Sequence, residues 1–199
     1  ALESAKIKQM GGNPVNTKSK VMHALVFLIV LSFTLGSYAF AYNNKDNMCG
    51  KWSSPGSIKY KFIGDTPSDY RNIFATAVVG WNDTPTKVGL SHDYSLLTAN
   101  IFGIYNEEGS NMGRAHLYCK PFTSEASSGD AGLNNLWFYN YSGPLNKTNL
   151  PINTALHEIG HFIGLGHSTV SPTVMWATGL YTDTKPLQDD INGANAMYP

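Results

Sequence analysis

The sequence contains few charged residues, and this shortage excludes several classes of protein. Only 14% of the 199 residues are Asp, Glu, Lys or Arg, whereas 42% are hydrophobic. Intrinsically disordered chains show the opposite balance. Fourteen basic residues are matched by fourteen acidic ones, so the chain has no excess of positive charge for binding nucleic acid. We therefore expect a folded protein without a nucleic-acid partner.

The sequence also lacks internal repeats, low-complexity tracts and linkers long enough to divide it. A chain of this size suits one domain with an ordinary hydrophobic core and, at most, one appended segment. We expect that domain to act as a monomer.

Long hydrophobic runs are equally scarce, and the one present lies near the amino terminus. It extends from Val21 to Tyr42, follows four lysines, and ends in Ala39-Phe40-Ala41, the small-x-small pattern of a signal peptidase site. We predict that residues 1–41 are a leader with a secretory signal, cleaved near Ala41, and that residues 42–199 form a secreted extracellular domain. The alternative is a single membrane anchor, because about 20 apolar residues can span a bilayer. Membrane association is expected only if the leader stays uncleaved.

Cysteine is nearly absent too, with Cys49 and Cys119 as its two occurrences. An even number of cysteines in an exported chain favours a disulfide between them. Two free thiols are the alternative.

Hydrophobic periodicity predicts the outline of the fold. Alternating apolar and charged residues at 58–62 predict a strand, and apolar spacings of three and four from Tyr70 to Trp81 predict a helix of about four turns. We expect Thr66 to cap this helix and Pro67 to occupy its first position. Turn-forming residues separate further predicted strands at 87–91, 99–105, 114–118 and 136–139. One helix packed on about five strands is the expected result.

The chemistry is concentrated in a single segment that begins at His157. His157 and His161 are four residues apart, so on a helix their imidazoles share one face and can bind one metal ion. Glu158 follows the first ligand and is placed to act as a general base. Gly164 lies where the helix must stop and reverse with a positive φ, and His167 then supplies a third ligand. Three imidazoles and an open fourth position predict one catalytic zinc ion.

Chance does not explain this pattern. From the six His, five Glu and nineteen Gly of the chain, its accidental occurrence is expected roughly once in 10⁵ chains of this composition. The alternative is an amphipathic core helix with two solvated histidines. That alternative leaves the spacing of Glu158, Gly164 and His167 unexplained.

The segment from His157 to His167 resembles the zinc motif of the metzincin endopeptidases, and Ser168 after the third histidine is similar to the matrixin variant. Residues 171–176 resemble the methionine turn of that family. The resemblance implies that Met175 supports the imidazoles from below without binding zinc.

The carboxyl-terminal segment 187–198 resembles the closing helix of matrixins. The resemblance implies that Asp189 and Asp190 secure the active-site subdomain. It also implies an α+β catalytic domain with a twisted, mostly parallel five-stranded sheet. A helix of the amino-terminal subdomain, an active-site helix and a carboxyl-terminal helix would complete it.

The function implied by the resemblance is a zinc endopeptidase that hydrolyses peptide bonds in extracellular proteins. An extended polypeptide substrate would lie along an edge strand, which we expect at Leu136 to Tyr139. Two alternatives remain: a membrane-anchored form of the same protease, and a zinc-holding binding module without activity. The second would have no need of Glu158.

Two departures from the family pattern add expectations. Animal matrixins have ligands for a second zinc and for calcium in the middle of the domain. That spacing is missing between Tyr105 and Leu136, so calcium is possible but unsupported. Only about ten residues separate Ala41 from Trp52, so we expect a short form without a prodomain. In that form Cys49 could bind the zinc as a latch, instead of pairing with Cys119.

Overall fold

The structure of the protein is a computed structural model that describes residues 50–178 and 181–199. All of these residues belong to one compact unit. No helix within these two ranges combines the length and the apolar character needed to cross a bilayer. The predicted leader 1–41, with its apolar run, lies outside the described residues, so the division at residue 41 stays a prediction.

Five strands and four α-helices follow a short 3-10 turn at Pro55–Ser57 in this part of the chain. They are β1 (Ile58–Phe62), α1 (Ser68–Asn82), β2 (Leu90–His92), β3 (Ile101–Tyr105), β4 (Gly113–Cys119), β5 (Ala126–Asn134), α2 (Asn135–Asn140), α3 (Asn149–Phe162) and α4 (Gln188–Met197). The strand order in the sheet is β2-β1-β3-β5-β4. All neighbours are parallel except β4, which runs antiparallel to β5. The predicted α+β class, with a mostly parallel five-stranded sheet, is confirmed.

A stack of aromatic rings joins the sheet to both long helices. Phe102 of β3 lies at its centre, with its ring centroid 4.3 Å from that of Tyr60 on β1. Phe74 of α1 stacks on Phe102 at 5.2 Å, and Phe162 of α3 meets it edge-on at 5.0 Å. Because aromatic pairs at these separations add to the stabilisation from burial, this cluster fixes how α1 and α3 lie on the sheet.

Helix α1 forms where the apolar spacing predicts it, but it starts differently. Pro67 is the N-cap residue, and no side chain caps the helix. The buried Thr66 hydroxyl has no hydrogen-bond partner, so the predicted Thr66 cap is wrong. Further along α1, the buried indole N–H of Trp81 donates to the carbonyl of Leu156 on α3 at 3.0 Å. This bond ties the two long helices together inside the core.

The strand predicted at 136–139 is wrong, because these residues belong to helix α2. The side chain of Asn134 caps α2 by accepting a hydrogen bond from the backbone of Trp137. The strand in this region is β5, which was not predicted. Its sequence, ASSGDAGLN, is rich in small and polar residues with low strand propensity. It forms a strand because β3 and β4 pair with it on both sides.

The carboxyl end of α3 is held by residues from both ends of the described chain. The indole N–H of Trp52 donates to the carbonyl of Phe162 at 2.8 Å, and the Tyr198 hydroxyl donates to the carbonyl of Ile163 at 2.7 Å. The last carbonyls of a helix have no partner within the helix. These two bonds satisfy the carbonyls of Phe162 and Ile163, at the point where α3 ends.

We predict that Cys119 pairs with Cys49. Cys119 is disulfide-bonded, while Cys49 lies outside the described residues. Its neighbour Gly50 donates a backbone hydrogen bond to Ser124 at 2.6 Å, in the turn between β4 and β5. Peptide mapping without reductant should recover a cross-linked pair containing both cysteines. Because the disulfide closes a long loop, Cys119→Ser should lower the free energy of unfolding by about 2–4 kcal/mol. Alkylation of both thiols in unreduced protein would contradict the pairing.

Candidate active site

Three imidazoles converge at one point beside α3. The Nε2 atom of His161 lies 3.1 Å from Nε2 of His157 and 3.1 Å from Nε2 of His167. His157 and His161 come from adjacent turns of α3, and His167 comes from the chain that follows the helix. Within the described ranges, no other group of three or more His, Cys, Asp or Glu side chains gathers its ligand atoms within 4.8 Å.

Backbone carbonyls set the orientation of two of these rings. Nδ1 of His157 lies 2.6 Å from the carbonyl of Val174, and Nδ1 of His161 lies 2.8 Å from that of Leu165. Since a carbonyl only accepts, each Nδ1 carries the proton and each Nε2 presents a lone pair. Burial lowers the pKa of His157 to about 4, which keeps this ring neutral.

The convergence of lone pairs fits a zinc ion. Nitrogen lone pairs that face one another repel unless a cation lies between them. Tetrahedral zinc binds histidine nitrogens at about 2.0–2.1 Å, which separates the ligands by about 3.3 Å. The observed separations of 3.1 Å are close to that spacing, so the donor set suits Zn²⁺.

Gly164 turns the chain so that His167 can return to the other two histidines. Its φ is +102°, a conformation that residues with a Cβ rarely adopt. A Cβ added here would also lie 2.9 Å from both the carbonyl oxygen of Gly50 and the sulfur of Met197. Both the backbone and the available space therefore require glycine.

Met175 packs against the same turns of α3 that carry the two histidines. It is fully buried, and a Cβ added to Gly160 would collide with its sulfur. Gly160, immediately before His161, thus provides the space in which Met175 meets the helix. The role of Gly160 cannot be predicted from the sequence, because no nearby residue indicates which side chain packs against a glycine.

The closing helix α4 holds the segment that carries Met175. The carboxylate of Asp190 is fully buried and accepts backbone hydrogen bonds from Val174 and Met175, both at 3.0 Å. Burial raises the pKa of Asp190, although its three backbone hydrogen bonds act in the opposite direction. Asp189 accepts a hydrogen bond from the hydroxyl of Ser168 at 2.6 Å. Asp189 therefore contacts the residue after the third histidine, while Asp190 holds the segment that carries Met175.

The side chain of Glu158 extends from α3 toward β4. It is only 5% exposed, and its side chain occupies the space beside Gly113, where an added Cβ would be 2.6 Å from its Oε1. Burial raises the pKa of Glu158 to about 8. Desolvation of this kind makes a carboxylate a stronger base, as proton transfer near neutral pH requires.

The histidines and Glu158 open into a cleft of about 390 Å³. One side is formed by residues 110–115, which include the start of β4. The other is formed by α3 together with His167, Val174, Trp176 and Ala177. Because β4 is an edge strand of the sheet, its backbone borders the cleft. The edge strand expected at 136–139 is therefore wrong, and the edge strand beside the cleft is β4.

Asn134 shapes the rim of this cleft, a role that was not predicted. Its buried amide donates to the carbonyls of Glu107 and Asn111 at 2.8 and 2.9 Å. Its backbone N–H donates to the carbonyl of Met112 at 2.8 Å. These bonds fix the loop that leads into β4. An Asn just before a helix is a recognisable N-cap signal. The sequence around Asn134 does not indicate its contacts with the loop.

In the middle of the domain, His116 belongs to a different arrangement. Its Nδ1 lies 3.0 Å from the carboxylate of Asp130, which also accepts a hydrogen bond from Tyr118. This cluster is exposed on the sheet and separate from the three convergent histidines.

We predict that Gly160→Ala weakens zinc binding and lowers stability. Replacing glycine by alanine inside a helix ordinarily stabilises it by about 0.5–1 kcal/mol. Here the new methyl group would collide with Met175 and displace its neighbour Val174, which orients His157. We expect a loss of about 1–3 kcal/mol in the free energy of unfolding and roughly tenfold weaker zinc binding. Urea unfolding and zinc titration measure the two effects.

A matched control is Gly64→Ala, since an added Cβ at Gly64 meets nothing within 4 Å. It should change stability by less than about 0.5 kcal/mol. Adding Met175→Ala to Gly160→Ala should recover part of the lost stability. Strictly additive losses in the double variant would contradict the proposed collision.

Comparisons with known proteins agree with this geometry. The protein-family model described as matrixin matches residues 51–199. The chain is 28% identical to a metalloendoproteinase of Arabidopsis thaliana, 5-MMP, over 145 residues, which are 65% of this chain and 39% of the plant protein. It is 28% identical to the macrophage metalloelastase of Rattus norvegicus over 159 residues, 71% of this chain and 32% of that protein. It is 47% identical to the interstitial collagenase of Sus scrofa over 45 residues, 22% of this chain and 10% of that protein.

The chain thus spans well under half the length of these curated relatives. The family match nevertheless covers most of the chain and includes every residue of the site described above. The chain therefore belongs to the matrixin family.

Proposed function

We propose that this matrixin is a secreted zinc metalloendopeptidase that hydrolyses peptide bonds in extracellular proteins. The observation that carries the proposal is the convergence of three imidazole Nε2 atoms beside a buried glutamate, in a cleft bordered by an edge strand. Family membership supports metal-dependent cleavage of polypeptides.

His157, His161 and His167 would hold one zinc ion. Bound there, zinc would supply a Lewis acid that lowers the pKa of water and polarises the carbonyl of the scissile peptide bond. With three imidazoles as ligands, a four-coordinate zinc ion would keep one ligand position available for water.

Glu158 is the general base. It follows the first ligand on α3, lies against Gly113 of β4, and lines the same cleft as the histidines. Its carboxylate takes a proton from the attacking water and passes it to the leaving amine as the peptide C–N bond breaks. Packing against Gly113 limits the movement of the carboxylate between these two transfers.

The substrate would bind as an extended chain along β4. The free edge of this strand offers backbone N–H and C=O groups to a polypeptide running antiparallel to it. Asn134 fixes the loop that precedes β4, so the rim of the cleft is formed before substrate arrives. The backbone of the substrate is then held across the histidines while its side chains enter the cleft.

The binding module without activity remains the second candidate function. It would keep the three histidines but would gain nothing from Glu158. Burial raises the pKa of this carboxyl group to about 8, so keeping an ionisable side chain here is costly without a role. This observation favours the enzyme.

We predict that Glu158→Gln abolishes hydrolysis while zinc stays bound. Glutamine has the same shape, so its packing against Gly113 is kept, but it cannot accept the proton. Casein hydrolysis should fall by at least about 10²–10⁴-fold, with zinc measured by mass spectrometry at one ion per chain.

The control is His161→Ala, which removes a ligand and should lose both zinc and hydrolysis. A Glu158→Gln protein that cleaves casein at the rate of the unaltered chain would refute the role of Glu158. An unaltered chain that binds zinc without cleaving casein or other polypeptides would favour the binding module.

We further propose that residues 1–41 direct export and are removed, leaving the catalytic domain 42–199. The support is the lysine-flanked apolar run and the Ala39-Phe40-Ala41 sequence at its end.

The intact mass of the chain recovered from the medium tests this proposal. We expect a chain that begins at Tyr42, and Ala41→Arg should reduce cleavage because signal peptidases require small residues there. A chain that keeps residues 1–41 and sediments with membranes would establish the membrane-anchored form instead.

A further inference from the structure

The loop between β2 and β3 exposes three large apolar side chains to solvent. It begins at the edge of the sheet opposite β4 and the cleft. Tyr94 is 88% exposed, Leu96 57% and Leu97 88%. They lie within four consecutive residues of the connection from β2 to β3. We call residues 94–97 the apolar tip. Single exposed apolar residues are ordinary on protein surfaces, whereas a contiguous group indicates a contact surface.

The apolar tip is held in place by hydrogen bonds. The buried carboxylate of Asp93 accepts the backbone N–H groups of Ser95 and Thr98 at 3.0 and 2.9 Å. The ammonium group of Lys61 donates to the carbonyl of Leu96 at 3.0 Å. Its side chains are therefore presented by a defined loop.

Leu96 also has a backbone conformation that is unfavourable for leucine. Its φ is +58°, in the left-handed region that glycine and asparagine adopt more readily. A glycine would relieve this strain but would remove an exposed apolar side chain. The sequence thus has a leucine where stability alone favours a smaller residue.

Two lysines lie at the base of the apolar tip. The loop crosses β1 on its way from β2 to β3, and there Lys59 and Lys61 project from alternate positions of the strand. Lys61 contacts the tip directly, and the carbonyl of Lys59 accepts a hydrogen bond from Asn100 at the end of the loop. Lys59 also interacts electrostatically with the carboxylate of Asp93. With two lysines beside one aspartate, the base of the apolar tip keeps a net positive charge.

We propose that the apolar tip inserts into the interfacial layer of a bilayer that contains anionic lipids. Tyrosine and leucine partition into this layer, and lysines beside them attract anionic headgroups. A protein partner fits less well, because a stable interface buries about 800 Å² on each side and three side chains on a protruding loop supply only part of that. A lipid surface accepts a protruding tip of this size.

The position of the tip leaves the cleft free. The loop follows β2 at one edge of the sheet, while β4 borders the cleft at the opposite edge. Membrane contact would concentrate the protein near substrates displayed at a lipid surface. This inference does not depend on the peptidase activity proposed above.

The test tags the tip with tryptophan in the full chain. Tyr94→Trp places an indole in the tip, and Tyr139→Trp places one at a matched position that is 84% exposed elsewhere. Emission is compared between phosphatidylcholine–phosphatidylserine vesicles with brominated and with ordinary acyl chains. The four natural tryptophans give the same background in both variants. The indole added at position 94 should shift to the blue and lose about half of its emission to brominated lipid, whereas that added at 139 should not.

Two further variants test the parts of the proposal. On the Tyr94→Trp background, Leu96→Ser with Leu97→Ser should weaken the blue-shifted binding roughly tenfold or more. Lys59→Gln with Lys61→Gln should weaken it roughly tenfold on anionic vesicles and leave it unchanged on pure phosphatidylcholine. Circular dichroism confirms that each variant is folded.

Three outcomes would overturn the proposal. Equal quenching of both tags would show membrane contact through another region, such as the apolar run before residue 42. Absence of quenching in both would show that the tip stays in water. A concentration-dependent blue shift at position 94 without vesicles would identify a second copy of the chain as the partner.

Discussion

Reversal of the chain at Gly164 is the constraint on which the rest of the site depends. Two ligands on one helix can approach an ion from one side only, so the third must come from chain that turns back. The turn requires a positive φ and leaves helix carbonyls without partners. Trp52 and Tyr198 supply those partners. Residues at the two ends of the described chain thereby determine where α3 stops and hence where His167 lies.

The orientation of the imidazoles depends in turn on segments that bind no metal. The carbonyl of Val174 directs His157, and Val174 is itself held by the buried carboxylate of Asp190. Met175, its neighbour, meets α3 in the space left by Gly160. The closing helix therefore acts on the ligands through backbone hydrogen bonds and close packing. This arrangement explains how aspartates without direct contact to the histidines help to define a metal site.

Local signals made the ligand set predictable, and their absence explains the errors elsewhere. The histidine spacing is a property of one helix and one turn, so the sequence alone indicates which side chains meet. The fold class followed from the resemblance to matrixins. Strand β5 escaped notice because its small and polar residues favour no strand on their own, and pairing with both neighbours determines its structure. Its neighbour at 136–139 contains aromatic residues typical of strands, yet the Asn134 cap starts a helix there.

Local sequence signals predict even less about the side of the site that faces the substrate. Glu158 can be recognised beside His157, but its buried position depends on the missing side chain of Gly113, more than forty residues away. The rim of the cleft depends on Asn134, whose amide bonds reach back to the loop before β4. A motif therefore identifies the residues that could react, while distant small and polar residues determine the space in which they do so. Substitutions at these supporting positions should alter substrate binding and turnover while leaving the histidine motif intact.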